Sequence, residues 1–158
     1  MNYQPTVMDL SKINLSSIEV TSFEVRNYSQ KTLYKRDIKG AQFKFKSEFG
    51  YNLEEKSVYV SIFTNIEAVP YHSIEEDVGG SCAIEFIFNV DNLDKYFEGE
   101  ESDIPEKKFG IDASFVHTLL GLSFSTARGI VYSRSLGTML DGILLPIIPP
   151  KELLSTSQ

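Results

Sequence analysis

Three stretches of this chain alternate apolar and polar residues with a period of two, and that pattern decides what its first half can become. Residues 41–49 put Ala41, Phe43, Phe45, Ser47 and Phe49 on one side and Gln42, Lys44, Lys46 and Glu48 on the other. Residues 58–66 place Val58, Val60, Ile62, Thr64 and Ile66 on one side, with Tyr59, Phe63 and two small polar residues opposite. Residues 82–90 align Cys82, Ile84, Phe86, Phe88 and Val90. Successive side chains of an extended chain point to opposite faces, so each stretch reads as a strand with one face in a core. A fourth β-rich stretch, 18–25, slips phase between Val20 and Phe23, as a bulge would make it. Gly50-Tyr51-Asn52 with Glu54-Glu55-Lys56 reads as one hairpin connection, and Gly79-Gly80 as another. Sequential strands with short turns predict an antiparallel meander, because parallel neighbours need long crossovers.

The period changes after Lys108. From Asp112 to Leu136 there is no proline, and apolar residues recur at helical spacing: Phe115, Leu119 and Leu122, then Val116, Leu120, Phe124, Ala127 and Val131. Asp112 suits the N-cap and Gly137 the C′ position. The helix is apolar on more than one face, so it is expected to bury one side on the sheet and another against something else. Small residues crowd its middle (Gly121, Ser123, Ser125, Thr126, Ala127, Gly129), which predicts close approach of another backbone and a kink near 123–126. After it, 139–150 is an apolar run punctuated by Pro146, Pro149 and Pro150, so it cannot be a regular helix and is expected to lie extended on apolar surface. The expected class is α+β: a four-stranded antiparallel sheet, one long helix and an extended apolar C-terminal segment, in one domain spanning 1–158.

Composition narrows the function. Net charge is −7 and uneven: residues 67–106 hold twelve acidic side chains and one basic, densest at Glu98, Glu100, Glu101, Asp103 and Glu106. Nucleic acid would be repelled there. The block is either a solvated acidic loop or a docking patch for a basic partner. One cysteine excludes a disulfide framework and a multi-thiolate zinc site. No secretory leader pattern and no membrane-spanning run is present, so a cytoplasmic protein without membrane insertion is expected. Chemistry is sparse. His72 and His117 lack a serine elbow or a metal-ligand spacing, Cys82 sits on an apolar strand face, and no phosphate-binding glycine loop exists. No nucleophile–base pair can be nominated, and no enzyme, cofactor or metal is expected. The 19 phenylalanines and tyrosines suit a core, or alternatively the lining of a small-ligand or lipid cavity under a helix.

The stretch 119–154 resembles the C-terminal half of the SecB-like protein-export chaperones. Leu120-Gly121-Leu122, Thr126-Ala127-Arg128, Gly137-Thr138, and Leu144-Leu145-Pro146-Ile147 with Pro149-Pro150 carry the resemblance, in order and spacing. It implies an ATP-independent holdase that binds unfolded polypeptides or preproteins along apolar grooves and assembles as a dimer or dimer of dimers through its long helices. Client contacts would then fall on Met139, Leu140, Ile143, Leu144 and Leu145, and the oligomer interface on Gly121, Phe124, Ala127, Arg128 and Val131. The family follows its crossover with a second helix and a polar tail that engage the translocation motor. Here 151–158 allow one or two turns, so the acidic block is the remaining candidate surface for a motor or other basic partner. A dedicated client, such as an unstable antitoxin, fits as well as general export. An adaptor with this fold and no holdase activity is the further alternative.

Overall fold

A computed structural model describes residues 7–27, 32–72, 77–98 and 110–155. Four long strands form one sheet: β1 (Ile13–Asn27), β2 (Ile38–Asn52), β3 (Ser57–Pro70) and β4 (Val78–Val90), all pairs antiparallel. A two-residue pair, β5 (Phe97–Glu98) and β6 (Gly110–Ile111), precedes the helix α1 (Ala113–Ser135), and a short helix α2 (Pro150–Ser155) follows. The three alternating stretches sit as their periodicity predicts. Val60, Ile62, Ile84 and Phe86 are buried on one face, while Lys44, Lys46, Tyr59 and Phe63 face solvent on the other.

The order across the sheet is β1-β4-β3-β2, which corrects the expected meander. Strands β2, β3 and β4 are joined consecutively, but β1 leaves β2 and pairs with β4, a Greek-key arrangement. The physical reason is the connection between Asn27 and Ile38, long enough to cross the end of the sheet. Gly79 and Gly80 correct a second expectation. They are not a turn but buried residues of the central strand β4, where glycine admits close neighbours. A Cβ on Gly80 would stand 2.7 Å from the carbonyl oxygen of Glu24 and 2.8 Å from a methyl of Leu140. The first hairpin turns at 53–56, later than Gly50, with Lys56 at φ 51°.

The phase slip in β1 is a bulge, and there are two of them. Pairing with β4 shifts between Leu15 and Ser17 and again between Val20 and Ser22. Ser16 Oγ donates to the carbonyl of Ile87 (3.1 Å) and Thr21 Oγ1 to that of Ala83 (3.2 Å). Each bulge resets the alternation, so Leu15, Ile18, Val20 and Phe23 pair with Phe88, Phe86, Ile84 and Cys82 and share their face.

Helix α1 starts where its cap predicts: Asp112 accepts from the backbone N–H of Phe115 (3.0 Å). It ends before Gly137, at φ +77°, and its helical span continues through the small-residue stretch. Phe115, Leu119, Phe124, Ala127 and Val131 are buried. Phe124 meets Phe45 edge-on, with ring centroids 5.2 Å apart. Tyr96 stacks on Phe115 at 4.1 Å. Cys82 lies in the core, and burial pushes its thiol up to about 11, against a smaller opposing pull from Arg134. At pH 8 only about one thiol in a thousand is then ionised. Alkylation by iodoacetamide, read by mass spectrometry, is expected to be negligible in the native protein and rapid in urea.

Candidate functional site

A tight reversal after α1 builds one wall of a surface groove. Thr138 Oγ1 donates to the carbonyl of Ser135 (2.7 Å) and accepts from the N–H of Leu140 (3.1 Å). The Asp141 carboxylate accepts from the N–H of Gly137 (3.2 Å). Gly137 and Gly142, at φ +77° and +84°, take left-handed conformations that β-carbons disfavour. From there the chain runs back past β2. Arg128 Nε donates to the carbonyl of Leu145 (2.8 Å), and Ser47 Oγ on β2 donates to the carbonyl of Leu153 in α2 (2.7 Å). A Cβ on Gly121 would touch Pro150 at 3.4 Å, so this glycine lets the returning chain lie close to the helix.

The opposite wall is the end of the β1–β2 connection. Leu33 is buried, and a short 3-10 turn, Lys35–Asp37, leads into β2. Asp37 accepts from the N–H of Tyr34 (2.8 Å), and its carbonyl accepts from the N–H of Tyr71 (3.0 Å). Between the walls lies a space of about 890 Å³, lined by Leu33, Tyr34, Ile38, Tyr71, Thr138 and Met139, with Lys35, Arg36 and Asp141 at its edges. It continues into a second space of about 490 Å³ beside Ala41, Phe43, Ile143 and Leu144. Lys35 spans the two walls, with Nζ 3.6 Å from Asp141 Oδ1. The floor is apolar and the rim is polar, which is the anatomy of a binding groove.

The apolar run after the helix is divided between core and groove. Leu140 and Leu145 are fully buried, packing the chain's own interior, and Met139 is buried with one side on the groove. Ile143 is half-buried and Leu144 is 61% exposed; both line the groove. Ile147 beyond them is 84% exposed. The helix residues divide in the same way. Phe124, Ala127 and Val131 face the core, Gly121 meets Pro150, and Arg128 holds Leu145.

A different face of α1 is left open. Leu122, Ser125, Gly129 and Tyr132 follow a strict three–four spacing and are all exposed, without a charge among them, and Leu136 is exposed just past the helix end. That is the spacing of a helix–helix seam. The spacing is legible in the sequence, but only the fold leaves this face uncovered. The seam borders strand β1, whose Leu15 and Ile18 are 40% and 43% exposed although they point to the helix side. Ile13, Leu15, Phe86, Phe88, Leu122 and Thr126 line a cleft of about 220 Å³ there, with the fully buried Ser123 hydroxyl unpartnered among the described residues.

The other sequence candidates contribute less. His72 is exposed and His117 half-buried on α1, and no cluster of potential metal ligands occurs among the described residues. Glu75, Glu76, Glu100, Glu101, Asp103 and Glu106, and the side chain of Glu98, lie outside the described residues. No helix among the described residues is long and apolar enough to cross a membrane.

No protein-family model matches the chain, and no curated protein sequence does. Solved structures do. The Mycobacterium tuberculosis SecB-like chaperone Rv1957, in complex with a ChAD peptide from the Rv1956 HigA1 antitoxin, superposes over 87% of this chain and 91% of its own, with a TM-score of 0.53 and 13% identity. A Streptococcus agalactiae protein of unknown function aligns over 85% of this chain and 97% of its own, with a TM-score of 0.41 and 9% identity. At such identity the likeness to Rv1957 is one of fold: four antiparallel strands, a long helix and an apolar crossover make this chain SecB-like in architecture.

Proposed function

We propose that this protein is an ATP-independent holdase that captures apolar segments of unfolded polypeptides in the groove between 33–38 and 137–144. The carrying observation is that groove: an apolar floor of Leu33, Ile38 and Met139, with Leu144, Tyr34 and Tyr71 exposed around it, on a SecB-like fold. An open trough with an apolar floor suits many segments rather than one small molecule. The fold neighbour holds an antitoxin peptide, which favours a polypeptide client here too, either a preprotein or a dedicated client.

Self-assembly is part of the reading. The seam on α1 and the uncovered face of β1 form continuous apolar surface that a second copy would cover, and the unpartnered Ser123 hydroxyl lies within it. A dimer or dimer of dimers follows. A Cβ at Gly129 meets nothing within 4 Å in its own chain, and Gly129→Leu is expected to fold normally while lowering the mass of the assembly in light scattering. Ala127→Arg is expected instead to unfold the monomer, because Ala127 is fully buried.

The test of the holdase reading is light scattering from an aggregating, chemically unfolded client, without nucleotide, with and without stoichiometric protein of known mass. Suppression of aggregation by an assembly is expected. Unchanged aggregation with a monomeric mass would overturn the reading.

A further inference from the structure

The groove carries a charge pattern opposite to that of the whole chain. Net charge is −7, yet Lys35, Arg36 and Lys39 line the groove, and Asp141 is the one carboxylate among its described lining residues. That carboxylate is occupied within the chain, accepting from Gly137 N–H and pairing with Lys35. Asp37, behind the rim, is bound to the N–H of Tyr34. Arg36 and Lys39 are exposed and have no carboxylate within 4 Å among the described residues, and the Arg36 guanidinium lies 5.2 Å from the centre of the Tyr34 ring. Lysines on the solvent face of the sheet are matched differently: Lys44 pairs with Glu67 at 3.2 Å and Lys46 with Glu48 at 3.0 Å. Unspent positive charge therefore stands along one wall of the apolar floor, at Arg36 and Lys39.

A segment seated on that floor carries its flanking side chains past Arg36 and Lys39. Carboxylates there meet unpaired cations, and lysines meet like charge. At physiological salt charges are screened over about 8 Å, so the cations on the rim act mainly on the flanks of a segment seated beside them. We propose that the groove selects client segments whose apolar or aromatic anchors are flanked by acidic residues over those flanked by basic ones. This deepens the holdase reading and rests on it.

The experiment uses the full chain and two fluorescent peptides with the same leucine–phenylalanine centre, one flanked by glutamates and one by lysines. Binding is read by anisotropy at low salt and at 0.5 M salt, beside the aggregation assay. The glutamate-flanked peptide is expected to bind about fivefold or more tightly at low salt, as two exposed charge contacts allow. High salt should erase the preference without abolishing binding. Arg36→Glu with Lys39→Glu, both at exposed positions, should invert it. Equal affinities, or a preference unchanged in the double variant, would overturn the charge selection and leave the holdase reading standing. Aggregation suppressed while neither peptide binds would place capture outside this groove and overturn the selection as well. Loss of both binding and suppression would bring down the holdase reading itself.

Discussion

Gly79→Ala is expected to destabilise the fold by about 3 kcal/mol or more, at the upper end of what forced overpacking costs. The added methyl would overlap the carbonyl oxygen of Ile66 on the neighbouring strand β3. That oxygen belongs to backbone, and β4 is paired on both sides, with β1 and with β3, so it cannot withdraw without opening a ladder. Urea denaturation followed by circular dichroism measures the effect as a lowered midpoint at unchanged slope. The control is Gly129→Ala on the exposed helix seam, where the added methyl meets nothing within 4 Å. It is expected to stabilise by up to about 1 kcal/mol, because alanine is the better helix former. A Gly79 variant as stable as the parent would mean that β4 does not lie this close to β3.

The second large effect concerns the groove. Leu144→Ser combined with Tyr71→Ser removes two exposed apolar side chains from opposite walls. Neither supports the core, so thermal stability is expected to change by no more than about 0.5 kcal/mol per site. Client affinity is expected to fall at least tenfold, since each side chain buried on binding is worth about 1.5–3 kcal/mol in apolar area. Anisotropy of a labelled apolar peptide, with the melting temperature read in parallel, separates the two effects. Undiminished binding in the folded variant would place client capture elsewhere on the molecule.

Much of this fold was legible in local pattern. The faces of β2, β3 and β4 follow from alternation alone. The slip between Val20 and Phe23 announced a bulge that the pairing of β1 contains. Asp112 and Gly137 marked the ends of α1 to within a residue. The glycine pair at 79–80 was misread because its composition is that of a turn, whereas its reason is crowding by Ile66, Glu24 and Leu140, all far away in sequence. Strand order was misread for a similar cause: hairpin logic treats neighbours in sequence as neighbours in space, and the connection between β1 and β2 is long enough to escape it.

The candidate site was legible as a segment and not as a surface. The sequence exposes 139–150 as an apolar run interrupted by prolines, but says nothing about which side chains turn inward. That choice depends on the left-handed Gly137 and Gly142, on Arg128 holding the carbonyl of Leu145, and on Ser47 holding that of Leu153. They leave Leu140 and Leu145 in the core and Leu144 in the groove. The second wall, Leu33 and Tyr34 with Lys35 and Arg36, carries no motif and arrives by folding alone.

By itself, then, the sequence determined strand faces, helix ends and the apolar character of the crossover, because side-chain period and capping act within a few residues. Strand order, the division of apolar side chains between core and groove, and the open seam on α1 were decided only by tertiary structure. Each is a matter of what distant segments cover, and periodicity marks a side chain as apolar without saying which distant surface will meet it.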